Sequence, residues 1–165
     1  MAVAALHADS WRRNYRGAYP DEFLDNEVDG ERLTVWTGRL EHPVAVARTV
    51  VAERAGIVGF VHVVLDEDPD WGSLIDNLHV AHDAKRQGIG VSLMAQAAQF
   101  VIDERPGTPL YLLVLGQNQA AQAFYDARGG SCVESWSRWP QPGTSLRYAW
   151  PDPTRLLAAE DDLDR

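Results

Sequence analysis

One cysteine, Cys132, stands in 165 residues, which excludes an internal disulfide framework and a zinc site built on cysteine pairs. H-E-x-x-H and G-x-S-x-G are both missing, so neither the zinc-protease helix nor the serine-hydrolase elbow is present. His79-x-x-His82 is a poor metal pair, and no metal site is expected. No apolar run approaches the roughly 18–20 residues that span a bilayer. The N-terminal residues lack a basic n-region and a long apolar core, so no signal peptide is expected. Positive charge is scarce: 15 Lys and Arg face 24 Asp and Glu, for a formal net charge of −9. That argues against general nucleic-acid binding, which needs a basic patch against phosphates. Repeats and low-complexity blocks are absent, and a cytoplasmic protein of bacterial type is the expectation.

What remains is ordinary for a globular chain, with 45% hydrophobic and 24% charged residues. The length suits a single domain over residues 1–150, followed by an acidic tail at 151–165. An acidic surface favours approach of a cationic substrate such as an amine; acidity also serves solubility alone. Cys132 reads as a buried apolar residue, not a nucleophile.

The informative stretch is Leu74 to Ile102. Residues 74–80 alternate as a half-buried strand does, and Ile89, Leu93, Ala97 and Val101 form one apolar helical stripe. Between them lies a basic turn, Lys85-Arg86-Gln87-Gly88-Ile89-Gly90. A helix start has unpaired N–H groups and partial positive charge, and glycines let a ligand approach that backbone. With Lys85 and Arg86 beside it, the turn is expected to hold a pyrophosphate. Two known phosphate motifs do not fit it. No P-loop run exists, and a G-x-G-x-x-G frame counted from Gly88 places its third glycine at Leu93.

The rest of the chain supplies alternating elements. Trp11, Tyr15 and Ala18 predict a helix over 8–18, and Pro20-Asp21-Glu22 opens a second one with Phe23, Leu24 and Val28 inward. Residues 31–40 read as a helix end running into a strand. Segments 44–52 and 57–65 read as an antiparallel hairpin turning at Ala55-Gly56. Leu110 to Leu115 is a buried strand, parallel to 74–80 in a βαβ unit with the helix at 89–103. A helix near 120–128, strands at 131–136 and 145–150, and a short helix at 155–159 complete the reading.

Lys85-x-x-Gly88-x-Gly90 after a strand, then Asn118-x-x-Ala121-x-x-Phe124-Tyr125-x-x-x-Gly129 after the next, resembles the GNAT superfamily of N-acetyltransferases. Lys85 departs from that family's usual Arg or Gln but keeps a cation. The resemblance covers the chain to about Trp150. It implies a mixed α/β fold: a mostly antiparallel twisted sheet of about six or seven strands, a central parallel βαβ pair and helices on both faces. It further implies acetyl-CoA as cofactor, a primary amine as acceptor and, as often in that family, a homodimer.

Carried over residue by residue, the cofactor would meet Leu78, His79 and Val80 on the strand, and Lys85, Arg86, Gln87, Gly88, Ile89, Gly90 and Val91 in the turn. Asn118 and Tyr125 would complete that set. Tyr125 matches the family's general acid; otherwise it is a buried aromatic. Asp76 is expected on one strand face with Leu74 and Leu78, and His79 on the other. Asp76 would act as base, bind the ammonium, or pair with an arginine such as Arg147. Trp11, Tyr15 and Tyr19 either line the amine pocket or pack on the sheet. A protein N-terminus or lysine as acceptor, or a non-catalytic acyl-CoA sensor, are the alternative readings.

Overall fold

The protein is described by a computed structural model covering residues 1–138 and 141–157. Helix α1 runs over Ala2–Asn14, because Val3, Ala4, His7 and Ala8 already form a buried stripe in an alanine-rich segment. This corrects the expected 8–18 span: Tyr15 is the C-cap, and Gly17, at φ 76°, turns the chain before Ala18. Pro20 precedes α2, Asp21–Asn26, with Asp21 and Glu22 in its first turn. Helix α3 occupies Val28–Glu41, where a strand was expected to begin. Val35, Trp36 and Thr37 favour strands locally, yet Val28 and Trp36 bury on one helical face, and that packing overrides propensity.

Among the described residues six strands follow: β1 Ala47–Glu53, β2 Ile57–Asp68, β3 Gly72–Val80, β4 Leu110–Leu115, β5 Ser131–Ser137 and β6 Thr144–Trp150. They form one sheet in the order β1-β2-β3-β4-β6-β5. Every neighbouring pair is antiparallel except β3 and β4, which α4, Ile89–Glu104, connects as a parallel βαβ unit. A short α5, Gln119–Ala127, follows β4.

The larger core lies under α4, where Leu93, Ala97 and Val101 pack on Val61, Val63, Ile75 and Leu112. Helices α1 and α3 cover the other face through Val3, Ala4, Trp36 and Phe60. Phe60 and Val61 thus point to opposite layers, as strand alternation requires. Cys132 is exposed, against expectation, because all of β5 is exposed at the sheet's edge. The C-terminal segment forms a 3₁₀ turn at Pro153–Leu156; residues 158 and 159 of the expected helix, with the tail beyond, lie outside the described residues.

Two irregularities place the functional cleft. β3 and β4 are paired only from Ser73–Leu110 to Ile75–Leu112, and then separate. Opposite β2 the register steps from Val63↔Ile75 to His62↔Asn77, so Asp76 is an inserted residue, a β-bulge. Its extra residue inverts the side-chain alternation beyond it. Gly72 anchors the start of β3 at φ 74°, where a Cβ would sit 2.4 Å from the carbonyl oxygen of Pro109.

Gly72→Ala is therefore expected to lose about 2–4 kcal/mol in urea unfolding, from left-handed strain plus a clash with backbone. Gly56→Ala, with open space around it, should stay within about 0.5 kcal/mol of wild type. Equal midpoints for the two variants would refute this account of β3's anchoring.

Candidate active site

After β3 the chain makes a 3₁₀ turn at His82–Ala84 and enters α4 through Gly88, whose φ of 78° only glycine adopts without strain. Gly88 accepts from the N–H groups of Val91 at 2.9 Å and Ser92 at 3.0 Å, while those of Ile89 and Gly90 open the helix. Arg86, at φ 61°, is one of two non-glycine residues with positive φ among those described. Such strain collects at ligand sites. Lys85, Arg86 and Gln87 are exposed. Arg54 donates to Gln87 Oε1, and Gln87 Nε2 donates to the Asp83 carbonyl at 3.2 Å, which pins the turn to the β1–β2 hairpin. Among the described residues neither Lys85 nor Arg86 makes an ion pair. Gly90 faces α5; a Cβ there would come 3.3 Å from the Phe124 ring. Val91 is buried.

The backbone of β3 has a readable polarity. Ala81 N–H donates to the Val58 carbonyl at 2.8 Å, so by period two His79 and Asn77 also direct their backbone toward β2. Leu78 and Val80 direct theirs the other way, into the gap that β4 has left. Their side chains pack on the α4 core. His79 differs from both: its backbone serves β2 and its ring meets α1, with Nδ1 2.7 Å from Ser10 Oγ. The bulge explains why Asp76 and His79 share a face and Leu78 does not, contrary to simple alternation. Asn118 caps α5, its Oδ1 accepting from Ala121 N–H at 3.2 Å.

Where the strands part, a cavity of about 330 Å³ opens. Trp11, Tyr15 and Tyr19 form one wall, and Asp76, Asn77 and Leu113–Leu115 come from the two strands. Helix α3 adds Arg32, Val35 and Arg39, residues that sequence reasoning missed. Their spacing of three and four is a helical signal, hidden while this segment was read as partly strand. Arg39 donates to Asp76 Oδ2 at 2.6 Å and to Asn77 Oδ1 at 2.8 Å. Asp76 thus pairs with Arg39, while Arg147 pairs with Asp68 and Glu134. No hydrogen bond to Asp76 Oδ1 occurs among the described residues.

Tyr125 is buried against Phe124, Tyr148 and Trp150, and burial pushes its hydroxyl well above the usual phenol range, with Tyr15 adding to the shift. Tyr15 is itself pushed up to about 12 by burial. Both hydroxyls therefore stay protonated at neutral pH. Behind the cavity sits a neutral histidine cluster. Burial, helped by His79 and nearby arginines, lowers His7 to about 2. Burial, then Lys85 and Arg32, lowers His79 to about 3. The indole N–H groups of Trp11 and Trp36 lie 2.8 and 2.9 Å from the two nitrogens of His7. A neutral imidazole has one lone pair, so it accepts from one of them at a time, and a second proton has no acceptor there.

A mixed sheet that opens beside its parallel pair, next to a glycine-capped helix start, is the arrangement of an acyl-CoA-dependent transferase. The chain belongs to the acetyltransferase (GNAT) family, whose model matches residues 3–130. It is 25% identical over 159 residues to YuaI, an uncharacterised N-acetyltransferase of Bacillus subtilis strain 168, covering 93% of this chain and 88% of that one. A Streptococcus mutans UA159 structure superposes with a TM-score of 0.68 at 20% identity, covering 92% of each chain. A Bacillus anthracis protein assigned to streptothricin acetylation, solved with acetyl coenzyme A, gives a TM-score of 0.59 at 16% identity, covering 66% of this chain and 64% of that one. The protein is thus an acetyltransferase, of a family whose acyl donor is acetyl-CoA. Among the described residues no helix is long and apolar enough to cross a membrane.

The histidine cluster dictates a pH dependence. In the unfolded chain His7 and His62, lowered to about 2 and about 4 mainly by burial, take up protons near pH 6.5. The folded state refuses them, so stability is full above pH 6.5 and falls as pH drops toward 4. Urea unfolding at pH 5 should give about 2 kcal/mol less stability per buried histidine than at pH 7. A flat profile between these pH values would contradict neutral burial.

Proposed function

We propose that the protein transfers the acetyl group of acetyl-CoA to a primary amine of a small molecule held in the cavity between β3 and β4. The observation that carries this reading is the cavity's size and position: about 330 Å³, aromatic on one wall, at the point where the parallel strands part. Pockets of this volume suit small ligands. The acetylation of streptothricin assigned to the Bacillus anthracis protein agrees with a small-molecule acceptor.

The residues present fit the cofactor. The N–H groups of Gly88, Ile89 and Gly90 would receive its pyrophosphate, with Val91 buried behind them and with Lys85 and Arg86, which make no ion pair among the described residues, beside them. Gln87, held by Arg54, keeps the turn in place, and Asn118 shapes the far wall by capping α5. Backbone groups of Leu78 and Val80 face the gap, and a ligand's amide arm would satisfy them as a neighbouring strand does. His79 acts from behind, fixing β3 to α1 through Ser10.

When bound, acetyl-CoA supplies the acetyl group as a thioester, whose carbon–sulfur bond breaks as the carbon–nitrogen bond forms. Asp76 Oδ1 receives the ammonium of the acceptor and takes its proton, directly or through water. Arg39 holds Oδ2 and so fixes the direction of the free oxygen. A strand N–H in the gap polarises the acyl oxygen. Tyr125 gives its hydroxyl proton to the departing sulfur; being protonated at neutral pH, it is a donor and not a base.

Amine-dependent release of free CoA, followed by thiol titration over amines and peptides, tests the reading. Release with peptides alone would move the acceptor to a protein terminus or lysine, and its absence with every amine would leave a sensor. Tyr125→Phe should lower kcat about 10²-fold with KM within about twofold, as expected for losing a proton donor. Unchanged turnover would remove Tyr125 from the mechanism. Calorimetry should show CoA binding weakened at least about tenfold by Gly88→Glu and by Arg86→Glu, the latter less in high salt. Equal affinity in both variants would place the diphosphate elsewhere.

A further inference from the structure

The charges inside the acceptor cavity run against those of the chain as a whole. The protein carries −9 overall, yet two arginines and one carboxylate line the cavity. Arg39 is committed, since its two terminal nitrogens bond Asp76 and Asn77. Asp76 and Arg39 therefore present a nearly neutral pair. Arg32 is the cavity cation whose acid lies outside the wall. Its side chain is 12% exposed and its guanidinium lies over the Trp11 ring, 4.4 Å from the centroid. Its Nε and Nη2 donate to the two carboxylate oxygens of Glu31, its own chain neighbour, which is 37% exposed and is not part of the cavity wall. Its Nη1 makes no hydrogen bond among the described residues, so a second carboxylate can meet that edge of the guanidinium.

The reach of Arg32 into the site is visible in its neighbours. It disfavours protons on His7 and His79, and it counteracts the upward push of burial on Tyr15. An acceptor bearing only ammonium groups would meet a guanidinium there whose acid lies outside the cavity wall. A planar carboxylate would instead find donors in matching geometry and a stacked, pre-ordered partner.

Resting on the transfer reading above, we propose that the acceptor is an amine that also carries a carboxylate, an amino-acid-like zwitterion. Its anionic end pairs with Arg32 and its ammonium lies at Asp76. Trp11, Tyr15 and Tyr19 then enclose its side chain. The transfer itself is unchanged. The nitrogen gains the acyl carbon as the carbon–sulfur bond breaks, one proton leaves through Asp76, and a second reaches sulfur through Tyr125. A polycation such as spermidine is excluded by like charge.

The test compares CoA release with the common L-amino acids, with their matched decarboxylated amines, and with spermidine. The best amino acid should exceed its decarboxylated partner and spermidine at least tenfold in kcat/KM. Arg32→Gln should erase that preference by raising KM for the amino acid with kcat held within about twofold, while KM for the bare amine falls as the like charge is removed. Arg32→Lys should restore part of it, which a merely structural role would not do. Bare amines turning over as well as amino acids, or a preference that survives Arg32→Gln, overturns the zwitterion and leaves amine transfer standing. Release with no amine at all overturns both.

Discussion

Strands β3 and β4 stay paired for three residues, Ser73 to Ile75 against Leu110 to Leu112, and the site is arranged around their separation. A sheet opened in its interior has backbone groups with nowhere to go, which is costly unless water or a ligand meets them. The inserted residue Asp76 adds to the divergence, since a bulge bends and twists its strand. It also changes which side chains face where. Asp76 and Asn77 both reach Arg39 on α3, while Leu78 returns to the α4 core. One extra residue therefore helps open the gap between the strands and sets a carboxylate at its inner end. The opening is tolerable because the α4 core continues across it, with Ile75 and Leu112 packed together below.

Charge is distributed with the same economy. The arginines of the α1–α3 side are matched by acids, as in Arg12–Asp29 and Arg16–Asp25, and Arg105–Asp66 adds a pair beyond α4. These pairs are largely exposed, and each contributes little to stability. Their effect is to cancel positive charge wherever it is not wanted. Lys85 and Arg86, which make no ion pair among the described residues, stand at the helix start, where an anion is also favoured by the dipole. At the cavity the balance is local too, so the net charge of the chain is a poor guide to the acceptor.

The family and the glycine turn were legible because they depend on short-range chemistry. Gly88 is needed for one residue's φ, and the stripe Leu93, Ala97, Val101 needs only helical spacing. The strand-helix-strand unit, too, follows from runs of apolar residues. The α3 helix was not legible: Val35, Trp36 and Thr37 favour strands by themselves, and only the burial of Trp36 against Phe60 and His7 decides for a helix. Arg32 and Arg39 went unseen with it. Cys132 misled for a related reason, since strand pattern does not say which strand ends up at an exposed edge.

Taken alone, then, the chain's order of residues determined the class of enzyme, the donor it uses and the glycine turn, because each rests on contacts between near neighbours. The tertiary structure decided which face Asp76 occupies, that Arg39 claims one of its oxygens, and that Arg32 lines the cavity between the strands. Those outcomes depend on a strand register slipping by one residue and on helices packing across a sheet. Both are set by side chains far apart in the chain, whose packing energies no local pattern contains.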